Sequence, residues 1–105
     1  MGIIAIACYR PEPGNEKKLL AAVRKNTPLL LSLGLITDRP PIIMESANGT
    51  ILEVFEWKSG SAKIKAHKNP EVMALGNRTM ELGKNIPLKK MGEASDVFAN
   101  FKPLS

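Results

Sequence analysis

Cysteine, histidine and tryptophan each occur once in this chain of 105 residues, as Cys8, His67 and Trp57. A lone cysteine forms no internal disulfide, so a reducing cytoplasm is the expected setting. One histidine, one cysteine and no clustered acids do not readily close a metal site, and neither metal nor cofactor is expected. There is no glycine-rich phosphate loop and no Ser-His-Asp or Cys-His nucleophile cue. The apolar run from Ile3 to Cys8 is far shorter than a membrane span, no basic stretch precedes it, and no cleavage pattern follows, so no membrane association is expected. Met1-Gly2 lacks the Ser or Thr at position 6 that myristoylation wants, because Ile6 stands there.

What remains is ordinary for a globular chain: 44% hydrophobic and 24% charged residues, read as a single domain over residues 1–105. A domain this small buries a modest core and gains from an oligomeric partner. Fifteen Lys and Arg against ten Asp and Glu give +5, an excess that reads first as a solvated lysine-rich surface.

Residues 3–10 are β-prone and apolar on both alternating faces, as in a strand covered on both sides. Pro11-Glu12-Pro13-Gly14 ends it. Asn15 is placed to cap a helix whose stripe is Leu19, Leu20, Val23, Leu30 and Leu33, and Pro28 predicts a break near residues 25–27. Gly34 stops this helix. A strand over 42–46, the hairpin signal Asn48-Gly49 and a returning strand over 50–57 follow. A two-residue turn pairs Met44 with Glu53 and puts Met44, Ser46, Ile51, Glu53, Phe55 and Trp57 on one face. Ser59 or Ser61 caps a short helix ending at His67. Asn69-Pro70-Glu71 opens another, with Met73 and Met80 as core fill and Gly83 as its stop. Residues 96–101 read as the last strand.

The order is β-α-β-β-α-β, a ferredoxin-like α+β unit with a four-stranded antiparallel sheet. Helices cover one face of such a sheet. Here both faces of the hairpin are apolar, and so is the first strand. The open face therefore needs a cover, and a second copy of the same sheet supplies it most economically. A homodimeric α+β barrel is the expectation.

Glu56-Trp57, a short polar turn, then Ala66-His67 and Pro70 carry a resemblance within this topology. Over residues 52–72 the chain resembles the antibiotic biosynthesis monooxygenase domain of the dimeric α+β barrel superfamily. The resemblance implies a homodimer with a pocket in each protomer for a small apolar or aromatic molecule, and cofactor-independent oxygenation of phenols or quinols. The haem-degrading branch is disfavoured, because the first strand has no asparagine and Trp57 ends a strand rather than sharing a helix with His67. A non-catalytic ligand-binding or stress-type barrel is the alternative.

Two residues are candidate proton acceptors. Glu53 sits mid-strand among apolar neighbours, so its carboxyl is either desolvated or paired with Arg10 or Arg39. His67 carries an imidazole able to accept or donate a proton, or else only caps a helix end. Trp57 and Phe55 are candidate pocket walls with Met44, while Tyr9 and Arg10 lie at the expected mouth; each also reads as core or rim. RNA recognition by such a sheet needs exposed aromatics on the first and third strands. Strand one offers only Tyr9, at its end, so no nucleic-acid partner is expected.

Overall fold

The computed structural model describes residues 2–104. It is a mixed α+β fold with five antiparallel strands: β1 (Ile3–Pro11), β2 (Ile42–Glu45), β3 (Ile51–Trp57), β4 (Gly83–Asn85) and β5 (Lys102–Pro103). The strands lie in the order β4-β1-β3-β2-β5. Helices α1 (Glu16–Val23) and α2 (Asn26–Ser32) join β1 to β2, and α3 (Gly60–Lys68) and α4 (Pro70–Leu82) join β3 to β4.

The helix boundaries follow local chemistry. α1 ends at Val23, one turn before Pro28, because the pyrrolidine ring would strike the carbonyl of Arg24. The break therefore falls slightly earlier than expected. Ser59 caps α3 by accepting from the Ala62 amide. Asn69 caps α4 by accepting from the Glu71 and Val72 amides, with Pro70 in the first turn. α4 passes straight into β4 at Gly83, where a Cβ would collide with the carbonyl oxygen of Arg10. Glycine is needed there for close approach, since its backbone is extended.

β1 and β3 form the centre of the sheet, paired from Ile3↔Trp57 to Tyr9↔Ile51. On β3, Ile51, Phe55 and Trp57 face the helices. Phe55 and Trp57 pack with Leu30, Leu35, Ile36, Ala62 and Ala66, and Ile51 packs with Leu19, Val23, Ile43 and Leu82. Each fully buried leucine contributes about 1.5–3 kcal/mol by leaving water.

The hairpin register differs from the expected one. Ile43, not Met44, opposes Glu53. The loop has three residues rather than two: the Gly49 amide donates to the Ser46 carbonyl and the Ser46 amide to Thr50. Gly49 alone takes positive φ, at 87°, giving a type I turn followed by a left-handed glycine. A one-residue shift moves a whole strand's side chains to the opposite face. Met44 therefore lies away from Glu53, packed near Cys8, Leu52 and Met91.

The last strand also differs. Residues 96–101 are not a strand; the edge next to β1 is β4, paired as Tyr9↔Asn85 to Pro11↔Gly83. The remaining chain crosses the sheet face opposite the helices as a strap. Met91 is buried on Cys8 and Leu52, with Ile86 and Phe101 beside them. Glu93 ties the strap to the hairpin, accepting from Ser46 Oγ and the Ala47 amide, each at 2.8 Å. β5 then pairs with β2, adding the fifth strand where four were expected. The strap covers one end of this face. At the other end Ile4 (53% exposed), Ile6 (46%) and Ile42 (51%) stay open. Ile6 and Ile42 both oppose Val54, so they form one cross-strand row. No helix among the described residues is long and apolar enough to cross a membrane.

Candidate functional site

Glu53 is completely buried, at the middle of β3 where Ala7 and Ile43 flank it on β1 and β2. Neither Arg10 nor Arg39 pairs with it. Arg39 Nε instead meets Glu56 Oε1 at 3.1 Å, and Thr37 Oγ1 donates to the same oxygen. These contacts hold the Glu56 carboxyl below its ordinary range. Glu53 has two neutral partners: Tyr9 Oη donates to Oε1 at 3.0 Å and Asn26 Nδ2 donates to it at 3.1 Å. The second oxygen, Oε2, has no hydrogen-bond partner. Burial pushes the Glu53 carboxyl up to about 7, although both hydrogen bonds pull it down. The same burial and the neighbouring carboxylate push the Tyr9 phenol well above its usual range.

Tyr9 and Asn26 also line a cavity of about 210 Å³ between the end of β1, the α1–α2 break and α4. Val23, Leu75, Gly76 and Met80 supply its apolar wall, and Thr79 and Asn85 its remaining polar groups. Local sequence builds this shape. The break before Asn26 turns that side chain toward Glu53, and Gly76 puts no side chain into the α4 wall: a Cβ there would meet no atom within 4 Å. The mid-helix glycine costs α4 about 1 kcal/mol relative to alanine.

Of the expected site residues, Glu53 and Tyr9 come together. The others do not join them. Phe55 and Trp57 are buried core residues in edge-to-face contact, with ring centres 5.0 Å apart at 72°. They pack against α2 and α3, whose apolar side chains fill the space expected to be a pocket. His67 is exposed on the last turn of α3, and Arg10 lies on β1 opposite Lys84. Met44 is on the far face, for the register reason given above. Met73 and Met80, expected as core, are exposed, and Met80 rims the cavity. Asn26 is not among the expected site residues; its signal in the sequence is a polar residue just after the helix break, on a segment otherwise rich in leucine.

A hollow of about 320 Å³ lies between hairpin and strap, but its Glu93 carboxylate is already committed to Ser46 and Ala47. Among the described residues no group of three or more His, Cys, Asp and Glu is placed to hold a metal ion. No protein-family model matches the chain, and neither does any curated protein or solved structure.

Proposed function

We propose that this protein binds a small, mostly apolar or aromatic molecule in the cavity between the α1–α2 break and α4. The observation that carries the reading is the wholly buried Glu53 carboxyl, held on one oxygen by two side chains that themselves line that cavity. A buried carboxyl titrating near neutrality is suited to accept a proton at physiological pH.

The finer proposal is a cofactor-independent monooxygenase, similar to those acting on phenolic or quinol-type compounds. A phenolic ligand would give its proton to Tyr9 Oη while Tyr9 passes its own to Glu53 Oε1. The resulting phenolate is electron-rich enough to react with dioxygen. One oxygen atom enters the ring carbon, the other leaves as water with the two hydrogens lost, and a quinone forms. A second reading, ligand binding without chemistry, is favoured by one feature: Tyr9 and Asn26 stand between Glu53 and the cavity, and Glu53 does not line it.

We further propose the ferredoxin-like, dimeric barrel assembly in the cytoplasm. The run β4-β1-β3-β2 with two helical crossovers supports the fold. The open row of Ile6, Val54 and Ile42 supports a second copy as its cover. Burial of the single cysteine suits a reducing compartment.

Oxygen uptake with a panel of phenols and quinols, compared between the protein and Glu53→Gln, tests the chemistry. Uptake lost in the variant is the expected result. Binding without uptake in either protein removes the oxygenase and leaves the binding reading. Gly76→Leu, which fills the cavity from its α4 wall, abolishes binding if the cavity is the site.

A further inference from the structure

The hydrogen bonds that the cavity's polar side chains already make limit what they can offer a ligand. Four such side chains line it: Tyr9, Asn26, Thr79 and Asn85. Tyr9 spends its phenolic hydrogen on Glu53 Oε1. Thr79 spends its hydroxyl hydrogen on the Leu75 carbonyl, at 2.8 Å. Asn26 turns its amide nitrogen to Glu53, and Asn85 turns its own to the Cys8 carbonyl at 3.1 Å. A carboxylate and a backbone carbonyl only accept, so these two amide orientations are fixed by their partners. In the resting protein a proton on Glu53 would fit the unpartnered Oε2 and leave Oε1 accepting as before, whereas the relay proposed above starts from the ionised carboxylate.

Both hydroxyl hydrogens are therefore committed, and each amide keeps a single hydrogen. Against those stand the lone pairs of Tyr9 Oη, Thr79 Oγ1, Asn26 Oδ1 and Asn85 Oδ1. No lining side chain is charged.

We infer, building on the binding reading above, that this cavity is acceptor-rich and selects small neutral molecules that donate hydrogen bonds, such as hydroxylated rings, over otherwise similar molecules that only accept. A ligand without donors would leave several oxygens desolvated and unpaired, the arrangement that binding sites discriminate against most strongly. An ammonium ligand would also donate, but no charged group of the lining would face it.

Catechol and its dimethyl ether form the test pair, since methylation removes both donors and keeps the ring and both oxygens. Each is titrated into the isotope-labelled protein while the Gly76 and Asn85 amides and the Asn26 side-chain amide are followed by NMR. Catechol is expected to bind at least about tenfold more tightly. Equal or tighter binding of the ether overturns the donor rule and leaves the cavity reading standing. Tighter binding of benzylammonium than of catechol overturns the neutral class. Absence of any shift at Gly76 and Asn85 with all three compounds removes the cavity reading and this inference with it. Thr79→Val, which keeps shape and deletes one acceptor, is expected to weaken catechol several-fold and leave the ether unchanged; an equal effect on both overturns the assignment of Thr79.

Discussion

The phenol of Tyr9 donates to the carboxyl of Glu53 across adjacent strands, 3.0 Å away. The two residues are offset by one diagonal step in the sheet, since Tyr9 opposes Ile51 and Glu53 opposes Ala7. A carboxyl set between helices and sheet thereby reaches a cavity that it does not touch.

The first prediction concerns pH. Between about 4.5 and about 7 the folded Glu53 binds more protons than the unfolded chain does. Its contribution is therefore fully present below 4.5 and is lost as pH rises through 7. The size of the shift corresponds to roughly 3 kcal/mol. Glu53→Gln keeps an acceptor for Tyr9 and Asn26 and cannot ionise. Urea unfolding at a series of pH values is expected to show the variant more stable than the parent at pH 8, with the parent's decline between pH 5 and 7 absent. A parent and variant with parallel profiles would remove the buried ionisable carboxyl.

Gly76 gives a second. Its Cβ position is open and it sits inside α4. Gly76→Ala is expected to raise stability by about 0.5–1 kcal/mol, a shift of a few degrees in Tm for a domain of this size. Differential scanning calorimetry checks it.

The strap supplies a third. Glu93 accepts from the Ala47 amide and from Ser46, and these bonds hold its carboxyl below the ordinary range. Its contribution is present above the unfolded value and is lost as pH falls through the depressed folded value. Hydrogen exchange at the Ala47 amide is expected to lose protection in acid, and Glu93→Gln is expected to weaken that protection already at neutral pH. Met91→Ala, which empties a buried position over Cys8 and Leu52, is expected to cost about 2–4 kcal/mol.

The fourth addresses assembly. Ile6→Lys places a charge in the middle of the open β row, beside Val54. Sedimentation at micromolar concentration is expected to give a dimer for the parent and a folded monomer for the variant. A parent that sediments as a monomer removes the proposed partner copy.

Much of the fold was legible because periodicity and capping act locally. Pro28, Ser59, Asn69-Pro70 and Gly83 each act within one turn of chain, and the helix ends follow them. The hairpin is legible in the sequence but its register is not. Asn48-Gly49 suits two loop lengths, and only the backbone decides that Gly49 alone takes the left-handed state. That single residue of slip moved Met44 off the candidate site. The last strand differs from the expected one for another reason. Val97, Phe98 and Phe101 look β-prone, but residues 96–100 are not a strand, and Val97 and Phe98 are left 94% and 82% exposed. The edge is made instead by Gly83, Lys84 and Asn85, which have little strand preference and are recruited by β1. Glu53 and Tyr9 were each noticeable alone. Their link to Asn26 was not, since it depends on where two separate helices and two strands meet.

Leu104 is stitched to residues made long before it. Leu104 donates its amide to the Ile43 carbonyl, and its own carbonyl accepts from Arg24 Nη2. During synthesis, a nascent molecule that has not yet reached Met91 and β5 has Cys8 and Leu52 without their cover and β2 without its outer neighbour. The sheet cannot close on this side until the strap and β5 have been made. Until then the unfinished edge is the place where two growing chains would stick to each other.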